Sequence, residues 1–261
     1  DQELEKLAKD FNGAYLKTDL INDDLNENTL LDNVCKKMWN LANELKDINF
    51  DILFNSEKHL NDTSDYMTLD DNKFVGNEAP SDIVKAFDQK NNKLVAIKYI
   101  SYLKNLKHFA REVDILLKMN SNMFLVNLIG FTTISPFSII IDYVPNGTLF
   151  ENLHQVKRPE WLDNTRKTII ALGIAFGMNY IHQNNIVHGG LCSNNILIDE
   201  NYLPRIYDFG ISKFTSDDNL EKNIGISQYM SPEILQNLKY DSKSDVYSYG
   251  MILYELLTLH I

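Results

Sequence analysis

The chain has 261 residues, 44% hydrophobic and 23% charged, a balance ordinary for a globular protein of one large domain, or of one domain with an appendage. Its net charge of −11 argues against nucleic acid or an anionic membrane surface as partner, since both would repel it. There is no apolar run near the roughly 18 residues that membrane insertion needs. With two cysteines, Cys35 and Cys192, a disulfide framework is excluded and a reducing intracellular, cytoplasmic setting is expected.

The acidity is concentrated at one end. Residues 1–73 carry 8 basic and 17 acidic side chains, against 17 and 19 in residues 74–261. Leu4, Leu7, Ala8, Phe11 and Tyr15 recur at helical spacing. A second helix is predicted from a capping-box-like start at Thr29 to Asp32, with Leu31, Val34, Met38, Leu41 and Leu45 along one face. Residues 1–60 are therefore read as a helical N-terminal segment, whose apolar face packs on a neighbouring domain. The polar stretch 61–73 is read as a linker.

From Phe74 the pattern changes. Lys93–Ile100 reads as a strand, residues 109–119 as a helix, and residues 125–131 and 138–144 as further strands. After Pro145-Asn146-Gly147 helices dominate: Ile169, Ile170, Leu172, Ile174, Met178 and Ile181 mark a long one. The triplets Ile196-Leu197-Ile198 and Arg205-Ile206-Tyr207 flank a turn at residues 199–201 and read as a hairpin. A last helix runs from about Lys243 to Thr258.

The loop before the hairpin, within Ile186 to Asp199 (IVHGGLCSNNILID), is followed by Asp208-Phe209-Gly210. Together they resemble the H-R-D-L-x-x-x-N catalytic loop and the D-F-G motif of eukaryotic protein kinases. Val95-Ala96-Ile97-Lys98 is similar to the lysine-bearing strand of that family, with Glu112 as the expected ion-pair partner fourteen residues on. Asn146-Gly147-Thr148-Leu149 and Ser193-Asn194-Asn195-Ile196-Leu197 resemble the tyrosine-kinase-like serine/threonine group. The resemblance covers about residues 74–261 and implies an α+β, bilobal kinase-like fold. The β-rich small lobe is expected over 74–144 and a partial large lobe over 145–261. A kinase large lobe continues for several helices past its central one, so either a piece of a longer protein or a truncated domain is implied.

The resemblance also implies a nucleotide site for ATP with Mg²⁺. Gly76, Ile83, Ala96, Lys98, Glu112, Asp142, Val144 and Leu197 would bind nucleotide, with Ile141 as gatekeeper before the hinge at 142–144. Asn195 and Asp208 would ligate the cation, for which hard oxygen donors are suited. The internal spine carries over as Leu116, Leu128, His188 and Phe209, anchored by Asp245.

The departures fall on the transfer residues. The family's catalytic aspartate is Gly190, the catalytic-loop lysine is Cys192, the arginine is Gly189 and the activation-segment threonine is Ile226. The phosphate-covering loop, Gly76-Asn77-Glu78-Ala79-Pro80-Ser81-Asp82-Ile83, keeps only the first of three glycines. Glu78 would bring negative charge toward ATP, and Pro80 lacks an N–H donor. Cys192 is read as a small filler lining an accessible cleft; Thr215, Ser216 and Ser227 are read as solvated loop polarity. Glu233 would lack its usual arginine partner. These features favour a pseudokinase that binds ATP weakly or not at all and acts on a protein partner in signalling. The alternatives are an active serine/threonine kinase and a non-functional remnant.

Overall fold

The computed structural model describes residues 56–60, 63–69, 76–78, 81–100, 106–119, 122–133, 137–155, 159–215, 226–236 and 241–260. The two helices expected within residues 1–55 lie outside the described residues.

The small lobe is a twisted sheet with one helix. Its strands are β1 (His59–Leu60), β2 (Tyr66–Thr68), β3 (Gly76–Glu78), β4 (Ser81–Asp88), β5 (Lys93–Ile100), β6 (Leu128–Thr132) and β7 (Phe137–Asp142). They lie in the order β1-β6-β7-β5-β4-β2, with β3 also paired to β4. All pairings are antiparallel except β1 with β6. Two expected boundaries are corrected here. Residues 59–60, assigned to a helical segment, and 66–68, assigned to a linker, are strands of this sheet. Both are too short to carry periodicity of their own; pairing with β6 and β4 makes them strands.

Alternation along the strands sorts the side chains between two faces. Ala86, Val95, Ile97 and Ile140 are fully buried on one face, with Leu60, Tyr66 and Tyr99 packed against them. On the other, the register sets Ile83 opposite Lys98, Ile141 opposite Ala96 and Ile139 opposite Lys98. Helix α1 (Leu106–Lys118) covers part of the sheet through Phe109, Val113 and Leu116, all buried. Phe109 meets Phe137 edge-on at 5.5 Å, a favourable aromatic geometry.

The large lobe is built on helices. Helix α2 (Leu149–His154) opens with a full capping box between Thr148 and Glu151. Helix α3 (Asn164–Gln183) is capped by Asp163, whose carboxylate accepts from the Arg166 N–H at 2.7 Å. Gly173 and Gly177 let α3 approach the hairpin of β9 (Ile196–Ile198) and β10 (Pro204–Ile206). A Cβ at Gly173 would stand 2.5 Å from the Pro204 ring, and one at Gly177 2.7 Å from Ile206. Asp199 closes that hairpin by accepting from the Asn201 and Leu203 N–H groups and pairing with Arg205 at 2.9 Å. Strands β8 (Ile186–Val187) and β11 (Lys213–Phe214) pair beneath the loop. A short helix α4 (Pro232–Leu235) precedes α5 (Ser242–Thr258).

The bilobal α+β arrangement implied by the kinase resemblance is present. The spine residues are assembled: Leu116, Leu128, His188 and Phe209 are each at most 3% exposed, and the His188 and Phe209 rings lie 5.2 Å apart.

Candidate functional site

The site is organised around a buried lysine. The strand β5 carries Lys98, α1 carries Glu112, and Asp208 follows β10. The Lys98 ammonium lies 3.1 Å from both Glu112 oxygens and 2.8 Å from Asp208 Oδ1. Lys98 and Glu112 are 7% and 5% exposed, so neither charge would be tolerated without a partner. Burial alone would raise the Asp208 carboxyl, but the Lys98 charge and hydrogen bond, with smaller help from His188 and the Gly210 N–H, hold it below the usual carboxylate range. Asp208 adopts a left-handed backbone at φ 64°, a conformation that costs a non-glycine residue free energy and is held here by the lysine contact and the buried Phe209.

The catalytic-loop backbone is fixed from below. Asp245, 1% exposed at the start of α5, accepts from the His188 and Gly189 N–H groups, both at 2.8 Å, and contacts His182 Nε2 at 2.8 Å. Gly189 sits at φ 75°, where a side chain is disfavoured. His188 Nδ1 accepts from the Gly190 N–H at 3.2 Å, which leaves Nε2 as the donor to the Tyr207 carbonyl at 3.3 Å. That pattern defines a neutral imidazole. Burial is the main cause that keeps its pKa below the ordinary histidine value, against the raising effect of Asp245 and Asp208.

Gly190 and Asn195 are brought together: Asn195 Nδ2 donates to the Gly190 carbonyl at 2.9 Å. This leaves the amide oxygen of Asn195 and the Asp208 carboxylate as hard donors suited to Mg²⁺. Among the described residues there is no group of three His, Cys, Asp or Glu able to hold a metal. A cation here would complete its shell with phosphate oxygens and water, as Mg²⁺ commonly does.

The apolar positions converge in part. Ile83, Ala96 and Ile141 are buried and share the face that bears Lys98. Leu197 comes from β9, bridged to Thr148 just past the hinge. Asp142, at the end of β7, pairs with Lys93 at 3.1 Å and accepts from Asn127 at 2.8 Å, with Val144 two residues on. In place of a glycine loop, Gly76 pairs with Ile83 and Glu78 with Ser81, so the chain is a strand hairpin up to the residues flanking 79–80.

One expectation is corrected. Cys192 does not line an accessible cleft: it is 3% exposed. Glu233 accepts from the Ser244 hydroxyl at 2.8 Å, and its own backbone N–H, Ser231 and Ser244 together lower its pKa. Ile226 and Ser227 are exposed and Thr215 is exposed; Ser216 lies outside the described residues.

Sequence reasoning missed two features. Glu255 is fully buried, accepting from Tyr229 Oη at 2.7 Å and Ser193 Oγ at 2.9 Å and contacting His154 Nε2 at 2.8 Å. Its place on the α5 face with Ile252 and Leu256 was the available signal. The second is Ile211: a Cβ at Gly190 would stand 2.8 Å from its Cδ1 and 3.2 Å from its Cγ1. Nothing in a linear reading marks that contact.

Comparison with known proteins agrees with this geometry. The family described as "Protein kinase domain" matches residues 69–261. The serine/threonine-protein kinase STY46 of Arabidopsis thaliana is 37% identical over 154 residues, 58% of this chain and 26% of the relative. CTR1 of the same plant is 35% identical over 162 residues, covering 60% and 20%. TNNI3K of Mus musculus is 39% identical over 181 residues, covering 64% and 21%. The chain thus spans about a quarter or less of the length of these relatives. Family match, relatives of the tyrosine-kinase-like type and the Lys98–Glu112–Asp208 cluster together show that the chain belongs to the protein kinase domain family.

Proposed function

We propose that this domain is a pseudokinase: it binds Mg²⁺–ATP weakly, does not transfer phosphate, and acts in cytoplasmic signalling by engaging a protein partner. One observation carries the reading. The Lys98–Glu112–Asp208 cluster is assembled beside a catalytic loop in which Gly190 takes the place of the base and Cys192 is buried. A general base typically contributes ~10²–10⁴ in rate. At Gly190 the nearest side chain is the apolar Ile211, which cannot accept a proton. Lys98 would attract the α- and β-phosphates, and Asn195 and Asp208 would hold Mg²⁺, which when bound neutralises phosphate charge. The hairpin through Glu78 and Ser81 is a poorer phosphate cover than a glycine loop, so the affinity is low.

Thermal unfolding with and without saturating Mg²⁺–ATP tests the nucleotide half. A ligand at ~100 times its dissociation constant adds roughly 2.7 kcal/mol, a rise of about 5–10 °C for a domain of this size. The expected result is a smaller rise, reached only at millimolar nucleotide and lost in Lys98→Met. Phosphorylation of a generic protein substrate, seen by mass spectrometry and abolished by Asp208→Ala, would overturn the proposal in favour of an active serine/threonine kinase. That second reading draws its support from the same intact lysine and aspartate.

A further inference from the structure

Residues 56–60 do more than precede the kinase domain. Strand β1 lies parallel to β6, with His59 opposite Phe131 and Leu60 opposite Thr132. The Lys58 carbonyl accepts from the Phe131 N–H at 3.0 Å, and the Lys58 ammonium donates to the Leu128 carbonyl. Leu60 packs on the buried cluster of Ala86, Val95, Ile97 and Ile140. The fit over β6 depends on a glycine: a Cβ at Gly130 would stand 2.7 Å from Leu60 Cδ1 and 3.1 Å from the Lys58 carbonyl. Here the β6–β7 register also shifts, between Leu128 and Gly130. An edge that would otherwise offer open backbone groups is thereby closed.

The far side of this contact reaches the hinge. Leu128, which receives Lys58, follows Asn127. The Asn127 carbonyl accepts from the Asp142 N–H at 3.2 Å, and its side-chain amide donates to Asp142 Oδ2 at 2.8 Å. Asp142 also pairs with Lys93. Burial lowers the Lys58 pKa, while the Asp142 charge raises it and Lys93 lowers it; the lysine lies within the electrostatic reach of the hinge.

We infer that residues 56–60 form a strap coupled to the hinge, through Lys58 on Leu128 and the doubly bonded Asn127–Asp142 pair. Release of this strap from β6 is thereby transmitted to the residues that would frame the adenine site. Coupling requires a contiguous set of contacts with an alternative arrangement, and a two-residue strand held by few bonds is the element most readily released. The inference stands whether or not the cleft takes nucleotide, because its test reads amides and not ligand.

Residue-resolved amide exchange on the full chain tests it, comparing wild type with Lys58→Met, which keeps the alkyl stem, and with Leu60→Ala. The strap predicts that exchange at Phe131 and at Asp142 both accelerate, by roughly tenfold, while the central Ile97 amide is unchanged. Acceleration at Phe131 alone would overturn the coupling and reduce β1 to an edge cover. Unchanged exchange at both would overturn the strap itself. Equal acceleration at Ile97 would overturn it too, since the variants would then be opening the whole sheet.

Discussion

Ile211 stands where a side chain at Gly190 would begin, its Cδ1 2.8 Å from the position of the missing Cβ. The Gly190 backbone is not in the left-handed region, so space and not conformation opposes a side chain there. Such overpacking costs about 1 kcal/mol when the obstacle is the end of a flexible chain. Gly190→Ala should therefore destabilise by about that amount in chemical denaturation. Ile211→Val removes Cδ1 and should erase most of the cost, which a double-mutant cycle would read as coupling between the two positions.

Lys98 is shared by Glu112 and Asp208 at hydrogen-bond distance. Lys98→Met would leave two carboxylates facing one another around an apolar stem. Breaking a buried pair by removing one partner costs about 3–5 kcal/mol, and the lower end applies because the Asp208 side chain is 24% exposed. The double variant Lys98→Met with Glu112→Gln should recover part of that loss. Equilibrium unfolding of the three proteins would show it.

His188 makes stability depend on pH. Its pKa is depressed in the fold, so the unfolded chain binds the proton more readily. The stabilising contribution is complete above the unfolded value of about 6.5 and falls away as the pH drops below it. Asp208, also depressed, adds a second loss only in the acid range below about 4. Midpoints of urea unfolding should thus fall between pH 7.5 and 5.5. His188→Asn, less stable throughout, should show a flatter profile over that window.

Gly173 opposes helix propensity to packing. Alanine is favoured over glycine in a helix interior by about 1 kcal/mol, yet its Cβ would press on the Pro204 ring at 2.5 Å and Phe124 at 3.0 Å. A proline ring cannot rotate away, so Gly173→Ala should destabilise by roughly 1–3 kcal/mol. Gly250, with nothing within 4 Å of its Cβ position, should gain from the same change. Thermal midpoints moving in opposite directions would check both.

Much of the domain was legible in its residues because the signals are local. Lys93–Ile100 and the final helix are found almost at their expected bounds, since alternation, helical spacing and the Asp241 cap act within one element. The lysine, its glutamate partner and the Asp208-Phe209-Gly210 motif were recognisable by type and order. The tertiary structure alone decided the rest. Residues 59–60 and 66–68 are strands because β6 and β4 offer edges to them. Cys192 is buried because the loop folds onto the Tyr229 and Glu255 cluster. Ile211 occupies the space left by Gly190 because two motifs twenty-one residues apart meet across the loop. Each of these depends on which surfaces come into contact, and periodicity, capping and spacing along one segment carry no record of that.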